Sequence, residues 1–64
     1  MKFHVPDMSC AHCTAAITDK ITALDPDANV TTELDGHTVE VVTTSSEASV
    51  VDAIKAAGYE ATPI

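Results

Sequence analysis

Cys10 and Cys13 are the only two cysteines of the chain and stand two residues apart in Met8-Ser9-Cys10-Ala11-His12-Cys13. Two sulfurs at this spacing can converge on one ion. Thiolates are soft donors, and a lone pair of them suits Cu(I), which accepts two sulfurs nearly in line, better than Zn(II), which usually takes four ligands. With no second cysteine pair in the chain, zinc has to recruit His12, His4 or Asp7, or sit between two molecules. Ag(I) and Hg(II) are soft ions too and compete for the same sulfurs. The pair also admits thiol–disulfide exchange, since CxxC at a helix start is a redox arrangement as well. A purely structural disulfide is the poorer reading, because a bridge across three positions closes too short a loop to hold a small domain together.

The surrounding pattern sets where these sulfurs sit. Phe3 and Val5 alternate with Lys2 and His4 and predict a short strand that ends at Pro6-Asp7. From about Ala11 to Leu24, the apolar positions Cys13, Ile17, Ile21 and Leu24 predict an amphipathic helix. Asp25-Pro26 stops it, since proline disfavours helical geometry in the residue before it. Cys13 then falls in the first helical turn, where free N–H groups and the macrodipole favour a thiolate by ~0.3–1 kcal/mol. Cys10, in the preceding loop, is expected to be the more exposed sulfur and the first to attack or be attacked. His12 shares the exposed first turn. It reads as an auxiliary third ligand, as a group that makes release depend on pH, or as a solvated side chain.

Val30, Thr32 and Leu34 alternate with Thr31 and Glu33 in a second strand over about Asn29 to Leu34, followed by Asp35-Gly36. Asp-Gly predicts a two-residue type I′ hairpin turn into a third strand, about His37 to Thr43. Thr44 and Glu47 have the spacing of a capping box, with Ser45 and Ser46 as alternative caps. A second helix is predicted from about Glu47 to Ala57, with Val50, Val51, Ile54 and Ala57 on one side and Gly58 as a left-handed cap. Glu60 to Pro63 form a last strand, at an edge because of its proline. The order β-α-β-β-α-β gives an α+β class, the ferredoxin-like split β-α-β: a four-stranded antiparallel sheet with two helices on one face, as a single domain over residues 1–64. The first and third strands are expected at its centre. The open face takes His4, Thr31, Glu33 and Glu40, and His4 and His37 read as surface residues.

The chain has 64 residues, 45% of them apolar, and a formal net charge of −7. Much of the apolar total is alanine, so the core is thin, and a chain of this size has no room for a deep enclosed active site. The acidic balance speaks against nucleic-acid binding, which needs a basic surface, and favours a basic protein partner. No apolar run approaches the roughly 20 residues of a spanning helix, and the first residues lack the apolar centre of a secretory signal. No membrane insertion and a cytosolic location are therefore expected. Phosphate-loop glycines and a nucleophile elbow are absent, so no enzyme activity is expected beyond metal transfer.

Met8-x-Cys10-x-x-Cys13 before the first helix, together with the element order and Ala56-Ala57-Gly58-Tyr59 near the end, resembles the heavy-metal-associated domain family, and within it the small soluble copper chaperones. The resemblance covers essentially the whole chain. It implies that Cys10 and Cys13 bind Cu(I) and that Met8 packs and shapes the loop instead of ligating. It implies transfer of the ion to the metal-binding domain or entry site of a heavy-metal P-type ATPase, through intermediates in which thiolates of both proteins share it. It also implies that Tyr59 lies near the metal loop, shielding the sulfurs and tuning release. A Cu(I)-bridged homodimer held by four thiolates is compatible with it. Two relatives within the family stay open: a mercury-binding member, and an excised domain of a metal ATPase, against which Met1 and the compact end at Ile64 argue. The rival from another class is a thiol–disulfide redox protein, although the longer chain and cis-proline of thioredoxin-like folds are lacking.

Overall fold

The computed structural model describes residues 1–64. Its elements are β1 (Lys2–His4), α1 (Ala11–Leu24), β2 (Asn29–Glu33), β3 (Thr38–Val42), α2 (Glu47–Ala56) and β4 (Thr62–Pro63). The strands form one antiparallel sheet in the order β2-β3-β1-β4, with β3 and β1 central as expected. Phe3 pairs with Val39 and, on its other side, with Pro63. Pro63, which has no N–H to give to a ladder, sits on the edge strand.

One face of the sheet carries the core. Phe3, Val39 and Val41 pack against Ile17 and Ile21 of α1 and Val50 and Ile54 of α2, with Val5, Met8 and Cys13 closing one end. Only these 10 of 64 residues are buried, so each one carries a large share of the stability at about 1.5–3 kcal/mol per large apolar side chain. The run Val39-Glu40-Val41-Val42 has apolar residues at both parities, so alternation by itself does not choose its buried face. The pairing resolves it: Val39 and Val41 point inward, while Val42 is 61% exposed. His4, Thr31, Glu33 and Glu40 lie on the open face, all exposed.

Ser46 is the N-cap of α2, its hydroxyl accepting the Ser49 N–H at 3.2 Å. Thr44 therefore does not form the capping box its spacing with Glu47 allows. The helix closes one residue before the predicted end, at Ala56, and Gly58 follows in the left-handed region at φ 97°. Gly58 N–H donates to Lys55 O at 2.9 Å and Tyr59 N–H to Ile54 O at 3.3 Å, the paired bonds of a Schellman motif.

Three expectations need correction. Leu24, placed with the buried stripe of α1, is 40% exposed: it is the last residue of the helix, and the chain turns to extended geometry at Asp25 immediately after it. Leu34 lies beyond the end of β2 and is 38% exposed, outside the inward alternation of Val30 and Thr32. The hairpin turn is not type I′: Glu33 pairs with Thr38, and positive φ falls on His37 at 53°, not on Asp35 or Gly36. Leu34 O accepts the His37 N–H at 3.2 Å, a turn followed by a left-handed residue that restores the twist of the strands. Contact with the chain leaving β1 favours this form, since His37 O accepts the Val5 N–H at 2.7 Å.

Candidate metal centre

The loop between β1 and α1 is shaped before any sulfur is reached. Pro6 and Asp7 occupy the centre of a turn that the Met8 N–H closes onto Val5 O at 3.1 Å, proline's fixed φ suiting the first central position. Met8 is fully buried beneath it. The chain then passes Ser9 to Cys10, the N-cap of α1, which is extended at φ −150° and ψ 166°. Cys10 O accepts the N–H groups of Cys13 at 3.1 Å and Thr14 at 3.3 Å. The N-cap position, where a side-chain oxygen normally accepts a free amide, carries a thiol and makes no side-chain cap bond. No acidic residue occupies the first turn, so the positive end of the helix is left to the two sulfurs.

Cys10 Sγ and Cys13 Sγ are 3.0 Å apart. Cys10 is exposed and Cys13 buried, as their positions before and within the helix led one to expect. The Cys13 thiol is lowered from 9.0 to about 7, first by Cys10, then by the Tyr59 side chain and the backbone amides of Ser9 and Cys10, against a partial penalty from burial. Tyr59 is half-buried and packs on the core. Its phenol is pushed upward, chiefly by Cys13 and then by burial, with the charges of Cys10 and Asp7 acting in the same sense. The Schellman turn that closes α2 thus sets Tyr59 beside Cys13.

The three histidines are placed differently. His12 is exposed on the first turn of α1, and no third His, Cys, Asp or Glu side chain joins the two sulfurs in a common group. His4 is exposed on the open sheet face. His37 is half-buried, and its ring Nδ1 lies 2.8 Å from Met8 O. Sequence reasoning missed this residue, treating it as surface beside a turn. Its only signal, a histidine directly after Asp-Gly, says nothing about a partner 29 residues away.

Two surface hollows, of about 280 and 300 Å³, lie elsewhere and include neither cysteine.

A ferredoxin-like fold presenting two thiols at a loop–helix junction defines a small metal-trafficking domain. The heavy-metal-associated domain profile matches residues 2–60, and the chain belongs to that family. Among solved structures it is similar to the copper chaperone Atx1 from Synechocystis PCC6803 in its Cu2 form, with a TM-score of 0.94, 27% identity, and coverage of 97% of this chain and 98% of that one. It is similar to a gold binding protein, with a TM-score of 0.91, 33% identity, and coverage of 95% and 94%. Agrobacterium tumefaciens Atu1203 has a TM-score of 0.87 at 38% identity, with 94% of each chain covered. No curated protein matches the sequence. No helix is long and apolar enough to cross a membrane.

Proposed function

We propose that this protein is a cytoplasmic copper chaperone, a single domain that binds Cu(I) between the thiolates of Cys10 and Cys13 and passes it to a heavy-metal P-type ATPase. The observation that carries the reading is the 3.0 Å approach of one exposed and one buried sulfur. On uptake the two thiols give up their protons and the thiolates bind the ion. On transfer, a thiolate of the target adds to Cu(I), the exposed Cys10 sulfur leaves first, and a second target thiolate displaces Cys13. Copper remains Cu(I) throughout, so no oxidant or reductant takes part, and the protein is a carrier, not an enzyme.

Copper is favoured over zinc because the two sulfurs gain no third acidic, histidine or cysteine partner within the chain, and Zn(II) usually takes four ligands. Similarity to a protein described as gold-binding supports a site open to soft monovalent ions, Ag(I) among them. Hg(II) is the alternative cargo. The net charge of −7, with Asp7 exposed in the loop that leads to the cysteines, calls for a target with a basic or neutral face, whose approach slows as salt screens the attraction.

The deciding experiment is an anaerobic titration of the reduced protein with Cu(I) and Zn(II) against chelators of known affinity, with Cys10→Ser and Cys13→Ser alongside. Cu(I) binding that needs both cysteines and far exceeds Zn(II) binding supports the carrier. Weak Cu(I) binding with fast disulfide exchange turns the reading to redox chemistry.

A further inference from the structure

We infer that His37 is a positioning residue for the metal loop, its ring N–H holding the Met8 carbonyl so that Cys10 is presented to Cys13. The functional arm of this inference rests on the copper-carrier reading. The structural arm does not.

His37 makes three connections from the tip of the β2–β3 hairpin. Its backbone N–H donates to Leu34 O at 3.2 Å, and its backbone O accepts the Val5 N–H at 2.7 Å. Its Nδ1 lies 2.8 Å from Met8 O. A carbonyl can only accept, so the ring is the donor and carries its proton on Nδ1. Val5 and Met8 are the two ends of the turn through Pro6 and Asp7, so one residue of the hairpin fastens both ends. The Met8 side chain is fully buried below while its carbonyl is tied from the side. Ser9 alone separates that anchor from Cys10.

The backbone makes the side chain conspicuous. His37 has φ 53°, a conformation that glycine adopts without steric cost and most other residues do not. The chain has a glycine at the preceding position, where φ is not positive. An imidazole is thus kept at the one position of the turn where a side chain is disfavoured, and the bond to Met8 is what that side chain supplies. The ring of His4 meets it edge-on, at 6.4 Å between centroids and 89° between planes, which limits its rotation.

Two variants separate the ring from the backbone. His37→Gly removes the donor and also the left-handed cost. His37→Asn tolerates positive φ and carries an N–H on an atom bonded to Cγ, as Nδ1 is. For each, amide hydrogen exchange of the metal-free reduced protein, urea unfolding and Cu(I) competition are measured. His37→Gly is expected to keep the native urea midpoint while the Ser9 and Cys10 amides exchange about fivefold faster and Cu(I) binding weakens by a similar factor, the size of one lost hydrogen bond. His37→Asn is expected to stay within twofold of the native protein in both. Unchanged exchange in His37→Gly, or equal loosening in His37→Asn, overturns the inference. A native protein that takes up no Cu(I) overturns the carrier reading instead, and the exchange comparison then decides the role of His37 by itself.

Discussion

The Cys10 and Cys13 sulfurs approach to 3.0 Å, one at the surface and one in the core. A disulfide bond is about 2.05 Å long, so closing it asks the sulfurs to move by about 1 Å. Mild oxidation is expected to remove the two thiol hydrogens and give an intramolecular bridge, seen as a mass loss of two hydrogens. Cu(I) uptake is lost with it, and a dithiol reductant restores both. Disulfide-linked dimers as the main product would show that Cys10 is more open to a second molecule than to its neighbour.

Tyr59 bears on the charge state of that pair. The Cys13 thiol is lowered from 9.0 to about 7, so between those values the folded chain holds a thiolate while the unfolded chain keeps its proton. Stability of the reduced fold from this thiol is fully present above the unfolded value and is lost as pH falls through about 7. Tyr59→Phe removes one of the groups that lower it. The first inflection of thiolate ultraviolet absorbance is expected to move to higher pH in that variant, and Cu(I) to be held differently at neutral pH. An inflection that stays in place would confine Tyr59 to packing.

Burial separates two residues that sequence periodicity placed on one stripe. Ile17 is fully buried and Leu24 is 40% exposed. Ile17→Ala is expected to cost about 2–5 kcal/mol, which is a large part of the stability of so small a domain. Leu24→Ala is expected to cost less than about 1 kcal/mol. Urea unfolding of the reduced protein checks both, and equal losses would mean that Leu24 packs against something beyond the last turn of α1.

The same contrast marks what was legible before the fold was known. The stripe Cys13, Ile17 and Ile21 was readable because helix period acts at every turn, and it failed only at Leu24, the last residue of the helix. Gly58 was readable as a cap because positive φ is costly for other residues, and it explains how Tyr59 reaches the sulfurs. Asp35-Gly36 misled about turn type, since a tertiary bond from Val5 to His37 outweighs the local preference for positive φ at those two residues. Cys10 and Cys13 are neighbours in sequence and could be paired from spacing alone. The bond from His37 to Met8 depends on β1 and β3 lying side by side, and no local pattern announces it.

Asp25 and Thr43 form a second fastening, at the other end of α1. Asp25 caps the helix, its backbone N–H donating to Ile21 O at 2.9 Å, and its carboxylate accepts the Thr43 hydroxyl at 2.5 Å and the Asp27 N–H at 3.1 Å. These donors, Thr43 first, hold the carboxyl below its ordinary 3.8. A depressed folded value means stability that is present above the ordinary value and is lost as pH falls through the folded one. Thr43 Oγ1 also accepts the Ser45 N–H at 3.1 Å, so Thr43→Val removes two bonds, only one of which feels the charge of Asp25. The variant is expected to be less stable than the native protein at neutral pH, by a margin that narrows on acidification below the ordinary carboxylate range. Thr43→Ser, which keeps the hydroxyl, should show no such pH-dependent margin. Urea midpoints for the three proteins at neutral and acid pH separate the two bonds: the part of the loss that disappears in acid belongs to Asp25, and the part that remains belongs to Ser45 and the packing of the threonine methyl.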